Sequence, residues 1–125
     1  MEKKLIILVD DNPVNLQIGK FFLKEKFSVA TAPSAEKLFS LLENNHPSLI
    51  LLDIDMPEMD GYETIKILRL RQETKDMPVI FLTGMAKNPK DEEKGRALGA
   101  VDYIIKPFDP SGLVNCIENH IRECN

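Results

Sequence analysis

Tryptophan is absent from the 125 residues, and cysteine occurs only twice, as Cys116 and Cys124. Eight residues apart in one expected helix, those two are too distant for a disulfide bridge and read as reduced thiols of a cytoplasmic protein. Long apolar runs are missing as well. The run Leu5–Val9 is five residues long and ends on two acids, which excludes a membrane span or signal sequence despite Lys3 and Lys4 ahead of it. There is no excess of positive charge: 16 Lys and Arg stand against 20 Asp and Glu, a net charge of -4. A broad footprint for nucleic acid or anionic membrane is therefore excluded. Neither a Walker loop nor a Gly-rich nucleotide fingerprint is present, so direct use of ATP is not expected. Repeats, low-complexity tracts and linkers are lacking too, and residues 1–125 are expected to form one domain.

What the chain does have is a regular alternation of short apolar runs with helical periods, the pattern of βα units. Strands are expected at Leu5–Val9, Phe27–Ala32, Leu49–Leu52, Val79–Leu82 and Val101–Ile105. The first helix should open with Asn12 as cap and Pro13 in its first position, its stripe Val14, Ile18, Phe21 and Phe22 covering the sheet. Ser34 should cap the second helix, with Ala35, Leu38, Phe39 and Leu42 inward. The third should start near Asp60-Gly61, and the fifth after Asp109-Pro110. The first, third and fourth strands are apolar throughout, as central parallel strands must be. The second and fifth carry polar atoms and read as edges. These features imply an α/β fold: a doubly wound, five-stranded parallel sheet of order 2-1-3-4-5, flavodoxin-like.

Ligands of such sheets bind beyond the carboxyl ends of the strands, where the winding reverses. The residues at those ends are Asp10 and Asp11, Asp53, Thr83 and Lys106. Three carboxylates and one ammonium sum to about -2, which a divalent cation would balance, and all-oxygen donors favour Mg2+ or Mn2+ over zinc. A hydroxyl and a lysine facing a metal-bound carboxylate suit a phosphoryl group, with Asp53 as the nucleophile. Singly, each residue reads as a turn former, edge hydroxyl or solvated charge. Together, at the ends of four strands, they point to phosphoryl chemistry.

The acidic pair, Asp53 within LLDIDMPEMDG, Thr83 within FLTG and Lys106-Pro107 resemble the receiver domain of two-component response regulators over essentially the whole chain. The resemblance implies that Asp53 accepts a phosphoryl group from a sensor histidine kinase or histidine phosphotransfer protein. It further implies that Asp11, Asp53 and the backbone carbonyl of Asp55 ligate Mg2+, that Asp10 acts through water, and that Thr83 and Tyr103 form a switch pair. A cis Lys106-Pro107 bond is also expected, and Asp55 and Met85 should tune phosphoryl lifetime. Such a protein is not a conventional turnover enzyme; it catalyses its own phosphorylation and dephosphorylation at Asp53. The fourth helix, near Pro89–Leu98, has little apolar content, and a Glu92–Arg96 pair adds little to it. With the fifth strand and fifth helix it is expected to form a phosphorylation-dependent surface for a homodimer or output partner.

Three other readings carry less. Asp53-Ile54-Asp55 imitates the acid pair of haloacid-dehalogenase-like phosphatases, but in that family the metal-binding acids come late. A flavodoxin-like FMN protein shares the sheet order, but the acidic loop Asp10–Pro13 would repel a phosphate. A degenerate receiver used only for docking would lack a signature residue, and none is missing.

Overall fold

The structure, a computed structural model, describes residues 3–84, 89–106 and 109–123. Five βα units follow one another: β1 (Leu5–Val9), α1 (Pro13–Leu23), β2 (Ser28–Ala32), α2 (Ala35–Leu42), β3 (Leu49–Asp53), α3 (Gly61–Leu70), β4 (Val79–Thr83), α4 (Pro89–Ala97), β5 (Asp102–Ile105) and α5 (Pro110–Glu123). All strand pairs are parallel, in the order β2-β1-β3-β4-β5. Among the described residues, no helix is long and apolar enough to cross a membrane.

Side chains alternate across a strand, so an apolar run covered on both faces feeds two cores. Ile7, Val9, Ile50, Leu52, Val79 and Phe81 enter one core with Leu38 of α2 and Ile65 and Leu68 of α3. Ile6, Leu8, Leu49, Leu51, Ile80 and Leu82 enter the other with Leu23 of α1 and Leu113, Ile117 and Ile121 of α5. β2 and β5 are only partly covered, as edges should be.

The helix starts follow from local chemistry. The Asn12 side chain accepts from the Val14 N–H, with Pro13 in the first turn. Ser34 caps α2 through the Lys37 N–H, and Asp60 with Glu63 closes a reciprocal capping box on α3.

Several details differ from the sequence expectation, and β2 and β5 each begin one residue later, at Ser28 and Asp102. In α1, Val14, Ile18 and Phe21 are exposed, while Gly19 and Leu23 are buried and Leu16 and Phe22 pack beside them. The helix is apolar on two sides, and periodicity alone does not say which side meets the sheet. β3 and β4 each run one residue further than expected, because Asp53 still pairs with Leu82 and Thr83 with Ile105. Both functional side chains thus stand on rigid ladder positions. The side chain of Glu92, and with it the expected pair to Arg96, lies outside the described residues. Arg96 instead approaches Asp102 at 3.9 Å.

Candidate functional site

Asp10, Asp53 and Thr83 are buried side by side at the carboxyl ends of β1, β3 and β4, each at most 2% exposed. Such groups persist only when paired. Lys106, just beyond β5, provides the pairing: its Nζ lies 3.1 Å from Asp10 Oδ2 and 3.3 Å from Asp53 Oδ1. Asp10 Oδ1 accepts from the Asn12 N–H at 2.9 Å, and Asp53 Oδ1 accepts from the Asp55 N–H at 3.3 Å. The Lys106 N–H donates to the Thr83 carbonyl at 2.7 Å, tying the lysine to the end of β4. Asp11 stands exposed at the mouth, and oxygens of Asp10, Asp11 and Asp53 lie within 4.8 Å of one another.

The electrostatics follow from this packing. Burial, and then the charge of Asp10, push the Asp53 carboxyl up to about 7, although Lys106 and the Asp55 N–H pull it down. Burial opposes the charge on Lys106, but its bond to Asp10 and the charges of both acids outweigh that and hold the ammonium above its ordinary range. One lysine does not neutralise three carboxylates. Added positive charge at this mouth would favour ionised Asp53, and exposed Asp11 offers it a hard oxygen ligand, so the donor set fits Mg2+ or Mn2+.

The structure therefore brings together Asp10, Asp11, Asp53, Thr83 and Lys106. Asp55 is exposed, with its N–H on Asp53. Met85 and Pro107, and with them the lifetime position and the cis bond, lie outside the described residues. Tyr103 is half-buried one strand away, its ring 5.6 Å from that of Phe81, which in turn stands 5.4 Å from Tyr62 of α3. This aromatic row under α4 was not anticipated, because its members are far apart in sequence.

Gly95 explains how α4 sits on that row. A Cβ at this position would overlap the Tyr103 hydroxyl and crowd the Phe81 ring. Ala normally favours a helix over Gly by about 1 kcal/mol. Here Gly95→Ala is expected to lower stability and turn Tyr103 outward. In a Tyr103→Ala background the same change should cost about 1 kcal/mol less, or become stabilising, in urea unfolding. Equal costs in both backgrounds would show that the contact does not restrain Tyr103.

Cavity size does not mark the chemistry. A cleft of about 800 Å³, lined by Lys66, Arg69, Leu70, Met77 and Leu98 among others, lies before the starts of β4 and β5. That is the opposite end of these strands from Asp53.

The model of the response regulator receiver domain matches residues 6–118. The chain belongs to this family. A probable cyclic di-GMP phosphodiesterase of Vibrio cholerae is 39% identical over 94% of this chain, which spans 26% of that protein. The response regulator GtcR of Aneurinibacillus migulanus is 38% identical over 95% of this chain, which spans 48% of it. The chain spans between about a quarter and just over half of most curated relatives it matches. Among solved structures, the receiver domain of a sensor histidine kinase from Pseudomonas aeruginosa, with a magnesium ion coordinated in its active site cleft, superposes with a TM-score of 0.85. It is 28% identical, and the match covers 95% of this chain and 98% of that one.

Phosphoryl acceptance in two-component signalling is the standard role of this family, whose receiver domains interact with histidine kinases and output domains. Receivers bind Mg2+ in the active site. The phosphatase reading and the reading as a degenerate, docking-only receiver are not favoured.

Proposed function

We propose that Asp53 is the phosphoacceptor of a single receiver domain and takes its phosphoryl group from a phosphohistidine on a sensor kinase or phosphotransfer protein. The observation that carries this is the Lys106 ammonium between two buried carboxylates, Asp10 at 3.1 Å and Asp53 at 3.3 Å. Oδ1 of Asp53 is held by Lys106 and the Asp55 N–H, so Oδ2 is the atom offered to phosphorus. Oδ2 attacks, the P–N bond to histidine breaks, and an acyl phosphate forms. Lys106 turns from carboxylate to phosphoryl oxygen, and the buried Thr83 hydroxyl donates to another. Bound Mg2+ would supply charge neutralisation for the transferring group. Asp11, Asp53 and the Asp55 carbonyl would hold it directly. Asp10 would act through water, since Asn12 and Lys106 already engage its two oxygens.

The output follows from the switch pair. When Thr83 moves to the phosphoryl group, it vacates space beside Tyr103, and α4 lies on that ring. We infer that α4, β5 and α5 present the surface that changes for a homodimer or output partner.

The test uses a small-molecule phosphodonor and Mg2+ with no kinase. Intact mass should rise by one phosphoryl group in the wild type and not in Asp53→Asn. Full labelling of that variant would overturn the assignment. The division of labour in metal binding has its own readout. Asp11→Ala should weaken Mg2+ binding by tenfold or more, about 1.4 kcal/mol, and Asp10→Ala by clearly less. Equal losses in a titration would reject the split.

A further inference from the structure

A second group of ligands stands at the start of β5, the opposite end of that strand from Lys106 and the Asp53 site. Asp102 opens β5, and Cys116 and His120 are four residues apart on α5, hence on one face of it. Their reactive atoms converge: Asp102 Oδ2 accepts from the Cys116 thiol at 3.4 Å and lies 3.0 Å from His120 Nε2. All three atoms fall within 4.8 Å of one another, and the three residues are only half-buried, so solvent reaches them.

We propose that Asp102, Cys116 and His120 form a binding site for a borderline-soft divalent cation, Zn2+ in the first instance, with a fourth position open to water.

The spacing suits a tetrahedron. With Zn–S of about 2.3 Å and Zn–N and Zn–O of about 2.0–2.1 Å, tetrahedral edges are about 3.3 Å for O to N and about 3.5 Å for O to S. The observed separations of 3.0 and 3.4 Å need only small adjustment. The carboxylate is already oriented, because its other oxygen accepts from the Tyr103 N–H at 2.8 Å and faces Arg96 at 3.9 Å. That leaves Oδ2 turned toward α5. Outer contacts of this kind fix ligand geometry in metal sites. Arg96 opposes an incoming cation, but it lies 3.9 Å from the other oxygen, Oδ1, is half-exposed and also donates to the Val101 carbonyl at 3.4 Å.

Donor chemistry separates this site from the acidic one. Sulfur and imidazole select Zn2+ or Co2+, whereas the all-oxygen group at Asp53 suits Mg2+. Without metal, the Cys116 thiol and His120 Nε2 both engage Asp102 Oδ2. On binding, the cation replaces those bonds, and the thiol proton leaves to solvent as the metal–sulfur bond forms.

Co2+ is the probe, added to the full, reduced chain in excess Mg2+. One equivalent should produce a thiolate-to-cobalt charge-transfer band and the visible bands of four-coordinate cobalt, and Zn2+ should abolish both. Cys116→Ser should remove the charge-transfer band, and His120→Gln should weaken binding by about tenfold or more, since outer contacts alone are worth 10- to 100-fold. Cys124→Ser and Asp11→Asn should leave the spectrum unchanged. Far-ultraviolet circular dichroism of Cys116→Ser and His120→Gln should match wild type, which distinguishes ligand loss from unfolding. The site is overturned if no thiolate band appears, if the band survives Cys116→Ser, or if it depends on Cys124 or Asp11.

Discussion

Asp53→Asn is expected to stabilise the metal-free protein, and the gain should grow with pH. The Asp53 carboxyl, ordinarily near 3.8, is raised to about 7, first by burial and then by the charge of Asp10. Between those values the native state keeps a proton that the unfolded chain has released, so wild-type stability falls as pH rises through the window. Below pH 4 both states hold the proton and the difference vanishes. Asp102 does not enter this window: burial raises its carboxyl, but bonds from His120, the Tyr103 N–H and Cys116 prevail and hold it below 3.8. Each tenfold change in proton affinity is worth about 1.4 kcal/mol, and the shared bonding of Lys106 brings the expected gain at pH 8 to about 2 to 4 kcal/mol. For a chain of this size that raises the melting temperature by roughly 8 to 15 °C. Melts of both proteins from pH 4 to 8, with and without Mg2+, measure it. A difference that stays flat with pH would reject the burial argument. Mg2+ should stabilise wild type more than the variant.

Gly61→Ala is expected to be costly for a different reason. A Cβ on Gly61 would come 2.7 Å from the Asp53 carbonyl oxygen and 2.8 Å from the Ile54 Cα. Both are backbone atoms of a fully buried strand end, and the Gly61 N–H is bonded to the Ile54 carbonyl at 2.8 Å, so neither side can yield cheaply. Overpacking against a rigid wall costs about 1 to 3 kcal/mol. Taking the upper part of that range, the melting temperature should fall by roughly 8 to 12 °C. The strain lies directly under Asp53, so phosphoryl incorporation should fall with it. Gly84→Ala is the control, since among the described residues nothing lies within 4 Å of a Cβ there. Equal melting temperatures for the two variants would show that α3 moves aside freely.

These two residues mark how far the sequence can be read. The strand ends carrying Asp10, Asp53, Thr83 and Lys106 were legible because a doubly wound order brings the carboxyl ends of β1, β3, β4 and β5 to one edge. That follows from local periodicity and the rule of right-handed crossovers. The edge character of β2 and β5 was legible for the same reason, since polar atoms in a strand mark an uncovered face. The caps at Asn12, Ser34 and Asp60 are nearest-neighbour chemistry and needed no tertiary information.

What the sequence by itself determined is therefore the order of the elements, the topology, and the chemical types gathered at the active edge. Tertiary structure decided the rest. Only packing revealed that Lys106 bonds Asp10 as well as Asp53, that α1 turns Val14, Ile18 and Phe21 outward, and that Gly61 lies on the Asp53 backbone. It also stacked Tyr62, Phe81 and Tyr103 beneath Gly95 and brought Asp102 to Cys116 and His120. Periodicity reports which residues share a face. Which face meets the core, and which distant side chains meet there, depends on contacts between residues tens of positions apart, on which local pattern carries no information.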